Sequence, residues 1–150
     1  MRIAVAADHA GYALKATIVS DLMALGHTVE DLGTHHPEPE DDYPDFAGAV
    51  AGRVAGAGNE VRGVLICSSG IGVDITANKF PGVRSALAMS VEHIKHGRGA
   101  DDVNVLSLAA EYLKPVDAIA FARAFLTTPF DGEARRLRRL AKIVKIEREH

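Results

Sequence analysis

Residues 2–7 (RIAVAA) form a nearly unbroken apolar run that ends in Asp8-His9-Ala10-Gly11. An apolar run of this length without alternation predicts a strand buried on both faces. The period then changes. Leu14, Ile18, Leu22 and Leu25 recur at helical spacing with Lys15, Thr17 and Asp21 between them, and Gly26 stops the helix. Thr28–Leu32 predicts a second strand, and the acidic, proline-rich stretch HHPEPEDDYP (35–44) a loop. Pro44 is placed to open a helix that runs to Gly56 and Gly58. Gly63–Cys67 (GVLIC) reads as a third strand, followed by a glycine turn and a helix to about Asn78. Val83–Ala88 and Val103–Leu108 read as the fourth and fifth strands, with no element assigned between them. Pro115 opens a further helix, and Gly132 precedes a final long one.

Alternation of strand and helix predicts an α/β fold. We expect a three-layer αβα, Rossmann-like architecture with a mostly parallel five-stranded sheet. In such folds ligands bind beyond the carboxyl ends of the strands. Asp8-His9, Cys67-Ser68-Ser69-Gly70 and Ser90 fall at those ends.

Composition narrows the classes. The chain of 150 residues fits one domain (1–150), and 47% hydrophobic content supports a core that must be aliphatic, since tryptophan is absent. A formal net charge of −3 gives no sign of a nucleic-acid or membrane-surface partner. The first apolar run is too short for a secretory signal or a membrane span. One cysteine excludes an intrachain disulfide and suits a reducing compartment, so a cytoplasmic location is expected.

The densest chemistry lies in LICSSGIGVDITANK (65–79). Glycines let a turn point successive N–H groups at one spot, and a helix N-terminus adds partial positive charge. Such a turn holds an anion, either a phosphate or a transient oxyanion, and should lower the pKa of the nearby Cys67 thiol toward that of a usable general base. The plainer reading makes Cys67 a small hydrophobe at a strand end. A nucleotide-dependent oxidoreductase shares the Ser-Ser-Gly-Ile-Gly turn but carries it after the first strand. It also needs a tyrosine with a lysine four residues on, which Tyr12, Tyr43 and Tyr112 all lack.

In EARRLRRLAKIVKIER (133–148), Leu137, Leu140, Ala141 and Val144 form an apolar stripe at helical spacing, expected to face the chain's own core. Arg135, Arg139 and Lys142 lie on the opposite face. They are placed either in water or at a site formed with a second subunit, where arginine forks suit phosphate.

Taken together, ADHAG (7–11), DYPDFA (42–47), VLICSSGIGVDITANKFPGVRSAL (64–87), NVL (104–106) and the arginine pair after Gly132 resemble the ribose-5-phosphate isomerase B family, which includes galactose-6-phosphate isomerases. The resemblance implies an aldose–ketose isomerase without metal or cofactor, acting on a small phosphorylated sugar, by default ribose 5-phosphate to ribulose 5-phosphate through an enediolate. It implies a homodimer or dimer of dimers with sites between subunits. It implies Cys67 as base, Ser69 with the backbone of Gly70, Ile71, Gly72 and Val73 as the anion hole, and Asp8 and His9 as sugar and phosphate contacts. Tyr43 becomes a pocket residue, and Arg135 and Arg139 phosphate ligands. A family branch with a glutamate base has Val73 at the matching position here, which leaves the role with the cysteine.

The chain departs from the family in one stretch. Where the family has His-Asn-Asp before NVL, this sequence has Ala100 and Asp101 at the first two positions, and Glu111 replaces an arginine. The missing histidine is the one assigned to opening the sugar ring. His93, His96 or Asp101 could take over that step. Alternatively the substrate needs no ring opening, as for a tetrose 4-phosphate (erythrose or erythrulose), whose C4 oxygen is already esterified. A catalytically silent sugar-phosphate-binding protein is a further alternative.

Overall fold

A computed structural model describes residues 1–149. In chain order the elements are β1 (Arg2–Ala7), α1 (Tyr12–Ala24), β2 (Thr28–Asp31), α2 (Tyr43–Ala55), β3 (Val61–Cys67), α3 (Ile71–Ala77), β4 (Ser85–Leu87), α4 (Val91–Asp101), β5 (Val105–Ala109), α5 (Pro115–Thr127) and α6 (Ala134–Glu149). The five strands form one sheet in the order β2-β1-β3-β5-β4. Every pairing is parallel, which sharpens the expected mostly parallel sheet.

Side chains alternate across the strands and sort into two cores. Ile3, Val5, Ala7, Val64, Ile66, Leu106 and Leu108 pack against α1, α4 and α5. Ala4, Ala6, Leu65, Cys67 and Val105 face α2 and α3. Each fully buried Ile, Leu or Phe stabilises the fold by about 1.5–3 kcal/mol, and Phe125, Ile3, Leu65 and Leu106 are among the largest. The middle strands β1, β3 and β5 are almost wholly buried, as their unbroken apolar runs require.

Three local expectations change. Helix α4 occupies the segment left unassigned, capped by Ser90, whose Oγ accepts the His93 N–H at 3.1 Å. Lys15, read as a polar spacer on α1, is buried, and its Nζ bonds Asp31 at 2.7 and 2.8 Å and the Thr34 carbonyl at 2.7 Å. Leu25, read as part of the apolar face of α1, is exposed beyond the helix end.

Helix α6 is the largest departure. None of its described residues is buried. Leu140 is half-buried, while Leu137 and Val144 face solvent, so the apolar stripe does not cover the chain's own core. The side that meets the body carries Ile143, Ile146 and Glu147, against Val83, Arg84, Asp101 and Val103. Glu147 also accepts the Gly82 N–H at 3.1 Å. These contacts precede β4 and β5, at the amino ends of the strands.

Candidate active site

The strand ends that carry the predicted chemistry come together across β1 and β3. The ladder ends with Ala7 opposite Ile66, and the Asp8 N–H then donates to the Ile66 carbonyl at 3.3 Å. Asp8 Oδ1 accepts the Gly11 N–H at 3.0 Å, closing the β1–α1 turn on itself. That turn lies directly on β3: a Cβ on Gly11 would stand 2.7 Å from the Ile66 oxygen, so only glycine fits. Asp8 and Cys67 therefore share one corner of the sheet.

Cys67 ends β3 and is 4% exposed. The chain reverses at Gly70, whose φ of +72° is the left-handed conformation that the Ser-Ser-Gly turn demands. The Gly70 N–H then donates to Cys67 Sγ at 3.1 Å, and the Ile71 N–H to Ser69 Oγ at 3.3 Å. Three amides, those of Val73, Gly70 and Ser69, favour the thiolate, yet the thiol is pushed up, not down. Burial is the larger influence, and the negative charge of Asp8 adds to it. The expectation of a lowered pKa thus fails because the strand end lies inside the α2–α3 core. Two of the expected anion-hole donors, Gly70 and Ile71, are already engaged with the site's own side chains.

Tyr43, at the start of α2, lies over the same turn: a Cβ on Gly72 would be 2.6 Å from the tyrosine Cζ. Ser69 and Ile71 also line an apolar cavity of about 380 Å³ with Leu87, Met89, Tyr112 and Leu113. Asp8 is buried, and burial raises its carboxyl above the ordinary range against the opposing Gly11 N–H.

His9 carries a partner that sequence reasoning missed. Its Nδ1 lies 2.6 Å from Asp41 Oδ1, and its main-chain N–H donates to the same oxygen at 3.2 Å. The hydrogen bond to Asp41 raises the imidazole pKa. No local pattern announces this pair, because Asp41 stands 32 residues away in an acidic loop.

Asp101, Arg135 and Arg139 are not brought to this corner. Asp101 ends α4 at the amino side of the sheet, beside α6. Arg135 and Arg139 are exposed on α6, where Arg135 Nε donates to Glu133 at 2.6 Å. Ser90, expected at the fourth strand's end, serves as the α4 cap. Among the described residues there is no cluster of three or more metal-ligating side chains, and no helix is long and apolar enough to cross a membrane.

Comparison with known proteins identifies the family. The family model described as Ribose/Galactose Isomerase matches residues 3–143. The ribose-5-phosphate isomerase B of Mycobacterium tuberculosis is 38% identical over 151 residues, spanning 100% of this chain and 92% of that protein. The enzyme of the same name from Mycobacterium leprae is 36% identical over the same length. The crystal structure of ribose-5-phosphate isomerase B from Mycoplasma genitalium with bound ribulose-5-phosphate superposes with a TM-score of 0.96 at 38% identity, covering 99% of this chain and 97% of that one. The Clostridium thermocellum ribose-5-phosphate isomerase B gives 0.94 at 36% identity, covering 99% of each chain. A glycine turn closing on a strand-end cysteine, the full-length match and the shared fold lead to one statement: the chain belongs to the ribose/galactose isomerase family.

Proposed function

We propose that the chain interconverts ribose 5-phosphate and ribulose 5-phosphate, with Cys67 as the base. The Cys67 thiolate takes the proton from C2 of the open-chain aldose, and the C1 carbonyl becomes the oxyanion of an enediolate. The thiol returns the proton to C1, while the C2 hydroxyl proton passes to the C1 oxyanion and the C2 oxygen becomes the carbonyl. Electrons move only within the sugar, so the step balances without a redox partner. The observation that carries this reading is the convergence of the Gly70, Val73 and Ser69 amides on one strand-end sulfur. Amides held on the sulfur favour the thiolate that must form before the proton can move. Asp8, held ready to carry a proton by burial, is suited to relaying the hydroxyl proton. His9 and Tyr43 flank the sugar.

The phosphate ligands come from a second copy. Arg135 and Arg139 sit on a helix whose own contacts lie at the far end of the sheet from Cys67. A homodimer that brings α6 of one protomer to the strand ends of the other would cover its exposed Leu137 and Val144. Remote phosphate binding then positions the reacting carbons. A lone thiol that must stay reduced fits a cytoplasmic setting.

The test is an activity panel across four-, five- and six-carbon sugar phosphates, with solvent deuterium incorporation as a second readout. Ribose 5-phosphate should be the best substrate by kcat/KM. Absence of both turnover and exchange would replace the isomerase with a silent binder. Ala100, in the last turn of α4, supports one second reading, an isomerase of tetrose 4-phosphates, which a clear preference for four-carbon substrates would establish.

A further inference from the structure

Asp41 is a carboxylate with a single customer. Its side chain is 10% exposed, and both of its hydrogen bonds, at 2.6 and 3.2 Å, reach His9 through one oxygen. Its other oxygen, Oδ2, is buried with no partner among the described residues. Burying a carboxylate oxygen without a donor costs free energy that a purely structural loop residue has no reason to carry. Asp41 does not cap α2 either: the capping position is Asp42, and no side chain bonds that helix start. The main-chain N–H of Asp41 donates to the Glu38 carbonyl at 3.0 Å, but the neighbours that share its cavity, including Thr34, His35, His36 and Glu38, give its carboxylate no hydrogen bond.

We propose that Asp41 is a positioning residue: by gripping the His9 backbone and Nδ1 together, it fixes the imidazole with Nε2 as the outward nitrogen and favours its protonated form, so that His9 binds the substrate's phosphate or hydroxyl oxygens as a donor. This rests on the functional reading above and adds a regulating partner to the same site. With Nδ1 occupied, one ring nitrogen remains for substrate, as in any imidazole oriented by a carboxylate. The charged groups that bear on the ring are Asp8 and Asp41, and both favour its protonated form. Substrate grip should therefore weaken as pH rises through the His9 titration, while proton abstraction, which belongs to Cys67, follows a separate course.

The full chain tests this through Asp41→Asn, with Asp41→Glu as the conservative variant and NMR titration of His9, assigned with His9→Gln. In Asp41→Asn, KM for ribose 5-phosphate should rise about tenfold near neutral pH, the worth of one charge-assisted bond, with kcat nearly unchanged. The His9 titration should move to lower pH, and Asp41→Glu should restore part of both effects. An unmoved His9 titration, or equal losses in kcat/KM and kcat at every pH, would overturn the proposal. If Asp41→Asn does not fold, the wild-type titration decides, and a His9 midpoint at or below about 6.5 overturns it. If the wild type does not turn over ribose 5-phosphate, the functional reading fails, and titration in the presence of inorganic phosphate still decides the pair: a raised, phosphate-sensitive His9 supports it and an ordinary one refutes it.

Discussion

Asp8 stands one residue beyond the β1–β3 ladder, and its negative charge opposes ionisation of Cys67 at the end of the neighbouring strand. Burial is the larger reason that the thiol is hard to ionise, and the carboxylate compounds it. Both effects disfavour the thiolate that the proposed mechanism requires. We expect kcat/KM to climb with pH through and above the ordinary thiol range. Removing the charge by Asp8→Asn should move that limb to lower pH even as turnover falls. A limb that stays in place in a pH–rate profile would mean that Cys67 is not the titrating base.

Replacing the sulfur itself is the sharper test. Cys67→Ala and Cys67→Ser should lower kcat/KM by roughly 10²–10⁴, the usual share of a positioned general base. Circular dichroism should show the same fold, because either side chain fits the small strand-end position. Retained turnover would transfer the base to another group.

Asp8 also links the site to stability. Its folded-state pKa lies above the unfolded one, so the proton is held more tightly when folded. The associated stabilisation is complete below the unfolded carboxyl pKa and is lost as pH rises through the raised value. At neutral pH the ionised group opposes folding. Asp8→Asn, which keeps an acceptor for the Gly11 N–H, should thus raise the melting temperature at pH 7, and the gain should vanish in acid. A variant less stable than the wild type at pH 7 would contradict this.

Gly70 tests the turn. A Cβ there would meet Leu87 Cδ1 and come within 3.1 Å of the Leu108 carbonyl carbon, at a φ of +72°. Gly70→Ala should cost about 2–4 kcal/mol in chemical denaturation, from left-handed strain and overpacking together. It should also displace the amide that meets the sulfur and depress kcat.

The two-copy site predicts complementation. Cys67→Ala and the double variant Arg135→Ala/Arg139→Ala should each be nearly inactive against ribose 5-phosphate. Mixed and allowed to exchange subunits, they should recover about a quarter of wild-type activity, because half the dimers are mixed and each carries one intact site. Sites complete within one chain would show no recovery.

Much of this was legible in the sequence, and the failures share a cause. Apolar runs such as VLIC, and the glycine that must follow them, depend on local pattern, so β3 and its turn were predicted. Helix α4 was not, because its buried residues are Ile94 and a charged one, Arg98, which pairs with Asp102 and donates to the Val103 carbonyl. A buried arginine breaks the apolar period that announces a helix. Lys15 misled in the same way, its burial being compensated by Asp31 across the loop. The direction of the Cys67 shift depends on how deeply the strand end is packed, and the Asp41–His9 pair on which loop crosses above β1. Both are tertiary facts with no local trace.

Helix α6 contributes nothing to the interior of its own chain. Substitutions on its outer face escape the packing penalties that constrain the sheet within one protomer, and their cost falls on the proposed subunit contact instead. Changes along this peripheral strut would therefore register in the grip on phosphate and in subunit pairing, while the interior of each protomer stays as it is.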